Sequence, residues 1–290
     1  MLQQVIISGI AYGSIYALMG LAMAIVYKTS TVPNFAQGEM AMISTYVAWV
    51  ILTSYGASFP VALLGAVVVA ALSGITLEFA FIRRAKEPNV LNLIIITLGF
   101  QMILYGLAGW RWGADQKRVQ LPISDREVIH VGNVAISHLS LATIVIAALL
   151  MLAVYLFFNF SRWGTAIRAT QQNRVAARIH GVPVNRLLAG SFALSAVVGA
   201  VAGLLVAPIT TLDPTMMWDP ILKGFAAAVL GGLTSLPGVV IGGYLLGIIE
   251  NLFGAYISVE FKSVVAFLII VLVLCVRPSG LLGRHYVRKV

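Results

Sequence analysis

Two short stretches carry polar side chains into otherwise apolar sequence, and their residue types decide what chemistry is open to this chain. The first, TSTVPNFAQGE at 29–39, sets Asn34, Gln37 and Glu39 around Gly38, and Glu39 opens a run that stays apolar to residue 55. The second, PITTLDPTMMWDP at 208–220, holds Thr210, Thr211 and Asp213. Amides, hydroxyls and carboxylates at this spacing suit the wall of a wet route through protein. They do not assemble a catalytic constellation. The sequence has no HExxH, GxSxG or CxxC, and His130, His138, His180 and His285 fall in loops without metal-ligand spacing. The glycine-rich stretch 231–238 lacks the lysine of a phosphate-binding loop, so ATP is not bound by that route. Neither a catalytic nor a metal site is expected, and energy for uphill transport has to come from a partner or an ion gradient.

The remaining ionisable groups have simpler readings. A carboxylate as deep as Glu39 usually faces a bundle interior or an aqueous path. An acid in the first turn of a helix is also favoured near the headgroups by the helix dipole. Glu78 and Glu250 lie close to expected helix ends, where interfacial water would solvate them, and Lys223 could snorkel outward. Cys275, the single cysteine, sits inside an apolar run and is expected as a small core residue without a disulfide.

The elements that position these residues are membrane helices. Apolar residues make up 60% of the chain and charged ones 10%, where a soluble domain carries about 25% charged. The formal charge of +9 is therefore not a nucleic-acid signal; the basic residues set topology. A bilayer core needs about 20 helical residues, which cuts the chain into spans near 5–27, 35–55, 60–82, 90–109, 139–160, 187–209, 220–233, 237–257 and 261–276. The seventh is too short to cross untilted. No basic residue precedes Lys28, so the first span is expected to stay as a helix and not to be cleaved as a signal peptide.

Residues 161–186 carry Arg162, Arg168, Arg174, Arg178 and Arg186 and no acid. Short loops of this kind stay in the cytoplasm. Arg83, Arg84 and Lys86, and the tail with Arg277, Arg284, Arg288 and Lys289, agree if all nine spans cross, which leaves the N-terminus, 110–138 and 210–219 outside. Trp110, Trp112 and Trp218 then sit at the outer interface. From residue 163 to 180 the spacing predicts a surface helix, either a docking surface for a soluble partner or an orienting loop touching lipid headgroups.

Aligning Gly13-Ser14 with Gly190-Ser191 also brings Pro60 onto Pro237 and Gly65 onto Gly242. The expected fold is thus an all-α integral membrane protein of about 8–9 transmembrane helices, a single domain over 1–290. Two inverted repeats, 5–109 and 187–276, flank a linking helix at 139–160, with the basic loop at 161–186. The proline-bearing stretches 29–39 and 208–220 would be helix breaks meeting near the midplane. Glycines at small-xxx-small spacing, Gly9/Gly13, Gly199/Gly203, Gly238/Gly242 and Gly243/Gly247, allow close helix packing or could seat a second subunit.

GSIYALMGLAMAIVYKTSTVPNFAQGEMAMISTY at 13–46, RATQQNRVAARIHGVPVNR at 168–186, FAAAVLGGLTSLPGVVIGGYLLGIIE at 225–250 and RPSGLLG at 277–283 resemble the membrane permease subunits of bacterial ABC importers for branched-chain amino acids. The resemblance covers nearly the whole chain. It implies an inner-membrane complex of two permease subunits, usually two different homologues, with two cytoplasmic ATPases that bind ATP and a periplasmic solute-binding protein. It also implies that Arg168, Arg174, Arg178 and Gly181 belong to the segment that docks on the ATPase. Substrates in that family extend to urea, short amides and other amino acids. Gln37 stands where many relatives have histidine. On the residues alone, an ion-coupled secondary transporter and a channel-like membrane subunit remain open; the former would want deep carboxylates in several helices, and few are present.

Overall fold

The computed structural model describes residues 1–86, 89–119, 122, 128–131 and 134–283. In chain order the elements are α1 (Leu2–Ser30), α2 (Gln37–Thr53), α3 (Phe59–Thr76), which continues as a π-helical turn at Leu77–Ile82, and α4 (Val90–Trp112). A hairpin of β1 (Val128–Val131) and β2 (Val134–Ser137) precedes α5 (His138–Phe160), α6 (Arg162–Gln172) and α7 (Arg174–Ile179). Then come α8 (Val184–Val206), α9 (Trp218–Gly231), α10 (Leu236–Tyr256) and α11 (Val264–Val276). The architecture is that of an α-helical membrane protein, as expected, with one short hairpin whose strands pair antiparallel, Val128 opposite Ser137. The basic tail residues Arg284, Arg288 and Lys289, and His285, lie outside the described residues.

Helix starts follow local chemistry. Asn89 accepts the Asn92 N–H at 2.7 Å to cap α4, Ser235 accepts the Gly238 N–H at 3.2 Å to cap α10, and Pro60 and Pro237 occupy first-turn positions where no backbone donor is needed. Six helical stretches are long and apolar enough to cross a bilayer unaided: Leu2–Ser30, Phe59–Ile82, Val90–Trp112, His138–Phe160, Val184–Val206 and Leu236–Tyr256. Among the described helices α2, α9 and α11 fall short of that length. At 1.5 Å per residue, α2 is about 26 Å long and α11 about 20 Å.

The chain divides into two compact units. One comprises Met1–Ala24, Ile123–Met151 and Leu222–Val290. Within it α1 and α10 approach through glycine: a side chain at Gly9 would meet the Ile248 backbone at 2.8 Å, and one at Gly13 the Gly243 carbonyl at 2.9 Å. The spaced glycines thus act as close helix contacts. The Gln4 side-chain amide donates to the Ala135 carbonyl at 2.8 Å and accepts the Ala135 N–H at 3.0 Å, serving β2 as a third strand would. The RPSGLLG segment closes α9, since Leu281 and Leu282 donate to the Leu230 and Gly231 carbonyls at 2.8 and 3.1 Å. Val229, Leu230 and Val273 form a small core beside it. Cys275 is exposed on α11, not buried as expected, because the apolar helix turns that face outward.

Two charged residues in this unit are placed differently from expectation. Lys223 and Glu250, 27 residues apart, are both buried and paired at 2.5 Å, so neither is at an interface nor snorkelling. Lys223 also lies 5.4 Å from the Tyr16 ring centre, and Lys262 is 4.0 Å from Glu250 while donating to Asn251 Oδ1 at 2.8 Å. Burial makes each charge depend on compensation by its partner.

The second unit comprises Ile25–Pro122 and Leu152–Ile221. Helices α2, α3 and α8 pack together around Ala48, Ala62, Ala66 and Leu204, with α4 against α2. A side chain at Gly74 would fall 2.5 Å from the Phe192 carbonyl, and one at Gly203 2.7 Å from Thr45 Oγ1, so small residues again set the helix spacing. Glu78 is buried, not solvated at a helix end as expected, and Arg83 neutralises it through bonds of 3.1 and 2.7 Å.

Removing Glu250 alone should leave the buried Lys223 ammonium without its carboxylate. Glu250→Ala is expected to cost on the order of 3–5 kcal/mol, while the double variant Lys223→Met/Glu250→Leu restores most of the loss. Thermal midpoints of the purified protein in detergent, compared for single and double variants, check this.

Candidate functional site

The first break is the connection 31–36 between α1 and α2. Its backbone departs from helix at Thr31, whose φ of 64° is left-handed, a costly conformation for a β-branched residue. The Thr31 N–H still bonds the Tyr27 carbonyl at 2.9 Å, closing α1. Asn34 then turns the chain by accepting the Ala36 N–H at 3.1 Å through Oδ1. The result is a buried, irregular segment whose polar groups are satisfied by protein.

The side chains expected to line a route converge here. Gln37 starts α2 and is fully buried. Its amide donates to the Ser195 carbonyl on α8 at 2.8 Å and accepts from Ser195 Oγ at 2.8 Å and from Asn34 Nδ2 at 3.3 Å. Glu39, 1% exposed in the first turn of α2, accepts from Gln101 of α4 at 2.9 Å and interacts with Trp218, the first residue of α9. The Phe35 N–H reaches Thr97 of α4 at 3.4 Å. Ser195, Gln101 and Thr97 are not singled out by sequence; each is a small or uncharged polar residue in a largely apolar helix, a pattern that marks them only once their partners are known.

The second break, between α8 and α9, is placed otherwise. Asp213 accepts the Thr215 N–H at 2.7 Å and the Thr211 hydroxyl at 3.3 Å, so it organises its own loop. Thr210 is exposed. Leu212 pairs with Lys117 through backbone bonds of 2.9 and 2.8 Å. No hydrogen bond among the described residues joins Thr210, Thr211 or Asp213 to Asn34, Gln37 or Glu39. The two breaks meet instead through Gly38, where an added side chain would lie 3.3 Å from both Met217 and Ile221. Aromatic rings flank this region: Tyr46 stacks on Trp112 at 4.7 Å, and Tyr105 lies 5.7 Å from Trp218.

The arginine stretch is not the single helix expected over 163–180. Asn173 adopts an extended conformation (φ −154°, ψ 107°), ends α6, and caps α7 by accepting the Val175 and Ala176 N–H groups at 3.0 Å each. Asparagine favours this cap over continuing a helix because its side chain replaces the missing backbone acceptors. Arg168 donates to the Phe158 carbonyl and to Thr165, holding α6 to the end of α5. Arg174 donates to the Thr29 carbonyl at 2.6 Å, a tie to the end of α1. Burial first, and then the neighbouring Arg178, lower the Arg174 pKa. Arg178 faces outward beside Val175 and Ile179, which are 67% and 79% exposed. A shallow cleft of about 260 Å³ lies between Arg178 and 183–186, and Gly181, at φ 79°, makes the turn into it.

Six apolar spans, a buried cluster of amide, hydroxyl and carboxylate groups between helices, and an outward-facing basic arm define a membrane transport subunit. The chain belongs to the family described as branched-chain amino acid transport system / permease component, whose model matches residues 5–274. It is 33% identical to the high-affinity branched-chain amino acid transport system permease protein LivH of Escherichia coli K12, an alignment covering 99% of this chain and 97% of LivH. It is 31% identical to the corresponding permease protein BraD of Pseudomonas aeruginosa, over 99% of this chain and 97% of BraD. A probable LivH of Methanocaldococcus jannaschii is 29% identical over 97% of this chain and 93% of its own length. No solved structure matches. The chain is accordingly a multi-pass inner-membrane permease component and not an enzyme.

Gln37 is the residue on which this cluster turns. Gln37→Leu removes the three side-chain bonds that link Gln37 to Ser195 and Asn34 and is expected to destabilise by about 1–3 kcal/mol. Gln37→Asn, too short to reach α8, should lose a comparable amount; thermal unfolding of the two variants beside wild type measures it.

Proposed function

We propose that this chain is the permease subunit of an ATP-driven importer and forms part of the route by which branched-chain or related amino acids cross the inner membrane. The observation that carries this is the buried polar cluster of Asn34, Gln37 and Glu39 beside Gly38, held between α2, α4, α8 and the start of α9. A mainly uncharged polar lining with a single carboxylate suits a solute that is passed on and not retained. Thr210, Thr211 and Asp213 line the outer approach.

In this reading α2, α9 and α11 cross with the six longer spans, giving nine transmembrane helices, the upper end of the expected 8–9, and the two inverted repeats, 5–109 and 187–276, about the linking helix 139–160. Residues 161–186 are the cytoplasmic coupling loop. Arg178, with Val175 and Ile179, presents charge and apolar surface to an ATPase subunit, and the turn at Gly181 sets its angle. Arg168 and Arg174 hold the arm in place from within the chain. ATP is bound by two partner ATPases, and a second homologous permease and a periplasmic binding protein complete the assembly. The names of the relatives support the amino-acid substrate and the importer class.

Uptake of labelled leucine into proteoliposomes, reconstituted with the partner ATPases, second permease and binding protein, tests the function; uptake driven by a proton or sodium gradient without ATP would overturn it. A Gly38→Trp complex is expected to assemble and hydrolyse ATP at its basal rate while losing most uptake, since the indole must displace Met217 and Ile221. Glu39→Gln, which keeps an acceptor for Gln101, should act more mildly.

Arg178→Glu reverses charge on the exposed arm without touching a span. The expected outcome is normal insertion with loss of substrate-stimulated ATP hydrolysis and uptake. Wild-type coupling in that variant would remove α7 from the ATPase interface.

A further inference from the structure

The polar cluster is covered by contacts that follow one another along α2. Glu39, Tyr46 and Trp49 share a face of that helix, two turns and then nearly one turn apart. Each meets α4 or the segment just after it. Gln101 donates to Glu39 at 2.9 Å, Trp112 stacks on Tyr46 with ring centres 4.7 Å apart and planes 13° from parallel, and the Lys117 ammonium lies 5.7 Å from the Trp49 ring centre. Tyr46 is fully buried under this cover.

Lys117 fastens this cover to the second break. Its ammonium donates to the Trp112 carbonyl at 2.9 Å, and its backbone N–H and C=O bond both ways with Leu212 at 2.9 and 2.8 Å. Leu212 is fully buried. Further along the same stretch Met217 stands against Gly38, and Trp218 interacts with Glu39. Residues 212–218 therefore run from the Lys117 bridge to the polar cluster. The bridge is isolated: among the described residues no ladder bond continues it on either side, so it can part without unravelling a sheet. Asp213 keeps the adjoining turn together independently, by accepting the Thr215 N–H at 2.7 Å. Two backbone bonds between irregular segments open locally far more readily than a packed helix does, which is what a latch requires.

We infer that the bridge between Lys117 and Leu212 is the latch of an outer gate over the cluster of Asn34, Gln37 and Glu39. With the bridge made, Trp112 and the 212–218 stretch shut the cluster off from the outer side. With it parted, that stretch moves off the cluster and opens the approach past Tyr46. The inference rests on the permease reading above, in which 110–138 and 210–219 face outward, and it adds where the route is closed.

Residues that exchange both backbone bonds hold their Cα atoms about 5.5 Å apart, a separation that accepts a disulfide. Lys117→Cys/Leu212→Cys is made in a Cys275→Ser background, which removes the single native cysteine. The full chain is reconstituted in proteoliposomes with the partner ATPases, second permease and binding protein. Copper phenanthroline is expected to crosslink the pair, read as lost reaction with a maleimide-polyethylene glycol. Crosslinking should lower ATP-driven leucine uptake about tenfold while basal ATP hydrolysis persists, and dithiothreitol should restore uptake. The Cys275→Ser parent, treated alike, shows what the oxidant does to the other subunits. Ile43→Cys in the same background leaves the bridge intact and gives a second reading, since Ile43 is buried between Glu39 and Tyr46 on their shared face. A membrane-impermeant maleimide added outside should label it about fivefold faster during turnover than at rest. Failure of the pair to crosslink, equal uptake by crosslinked and reduced complexes, or equal labelling at rest and in turnover overturns the gate. No ATP-driven uptake by the Cys275→Ser parent overturns the importer reading, and the gate with it.

Discussion

Hydrocarbon offers no partner to a backbone N–H or C=O, so every departure from helix in this chain has to be satisfied by the protein itself. The structure is arranged around that requirement. The 31–36 break is served by Asn34, Thr97 and the turn at Thr31. The carbonyls at the end of α1 are met by Arg174 from the basic arm, and those at the end of α9 by Leu281 and Leu282 from RPSGLLG. Sequence signatures that look like recognition motifs are, in part, devices for closing helix ends.

The same requirement explains why the polar cluster can exist at all. Gln37 and Glu39 are tolerated because Ser195 and Gln101 sit at hydrogen-bond distance on neighbouring helices, and α8 comes close enough because Gly199 and Gly203 present no side chain to α2. Small residues are therefore not merely permissive of tight packing. They bring the polar partners within reach.

Charge is handled by the opposite strategy in the two environments. Within the spans Lys223 with Glu250, and Glu78 with Arg83, are neutralised in pairs. On the arm, Arg178 is left facing outward beside exposed Val175 and Ile179. Pairing offsets the cost of burying a charge, whereas the exposed Arg178 makes, among the described residues, only a long hydrogen bond to Asn185 Oδ1 at 3.4 Å.

Much was legible in the sequence. Apolar run length set the class and the approximate span positions, because a bilayer imposes one length on every crossing helix. The isolated polar residues of 29–39 marked a break, because that signal is local in the chain. What tertiary structure alone decided was pairing. Gln37 meets Ser195 from 158 positions away and Glu39 meets Gln101 from 62, while Lys223 finds Glu250 although each resembled an interfacial residue by itself. Asn173 likewise divides the arm only because its side chain caps α7. Composition and periodicity report how one helix meets its solvent; they carry no record of which other helix supplies the hydrogen-bond or ionic partner, since that depends on a packing distance set jointly by two distant stretches of chain.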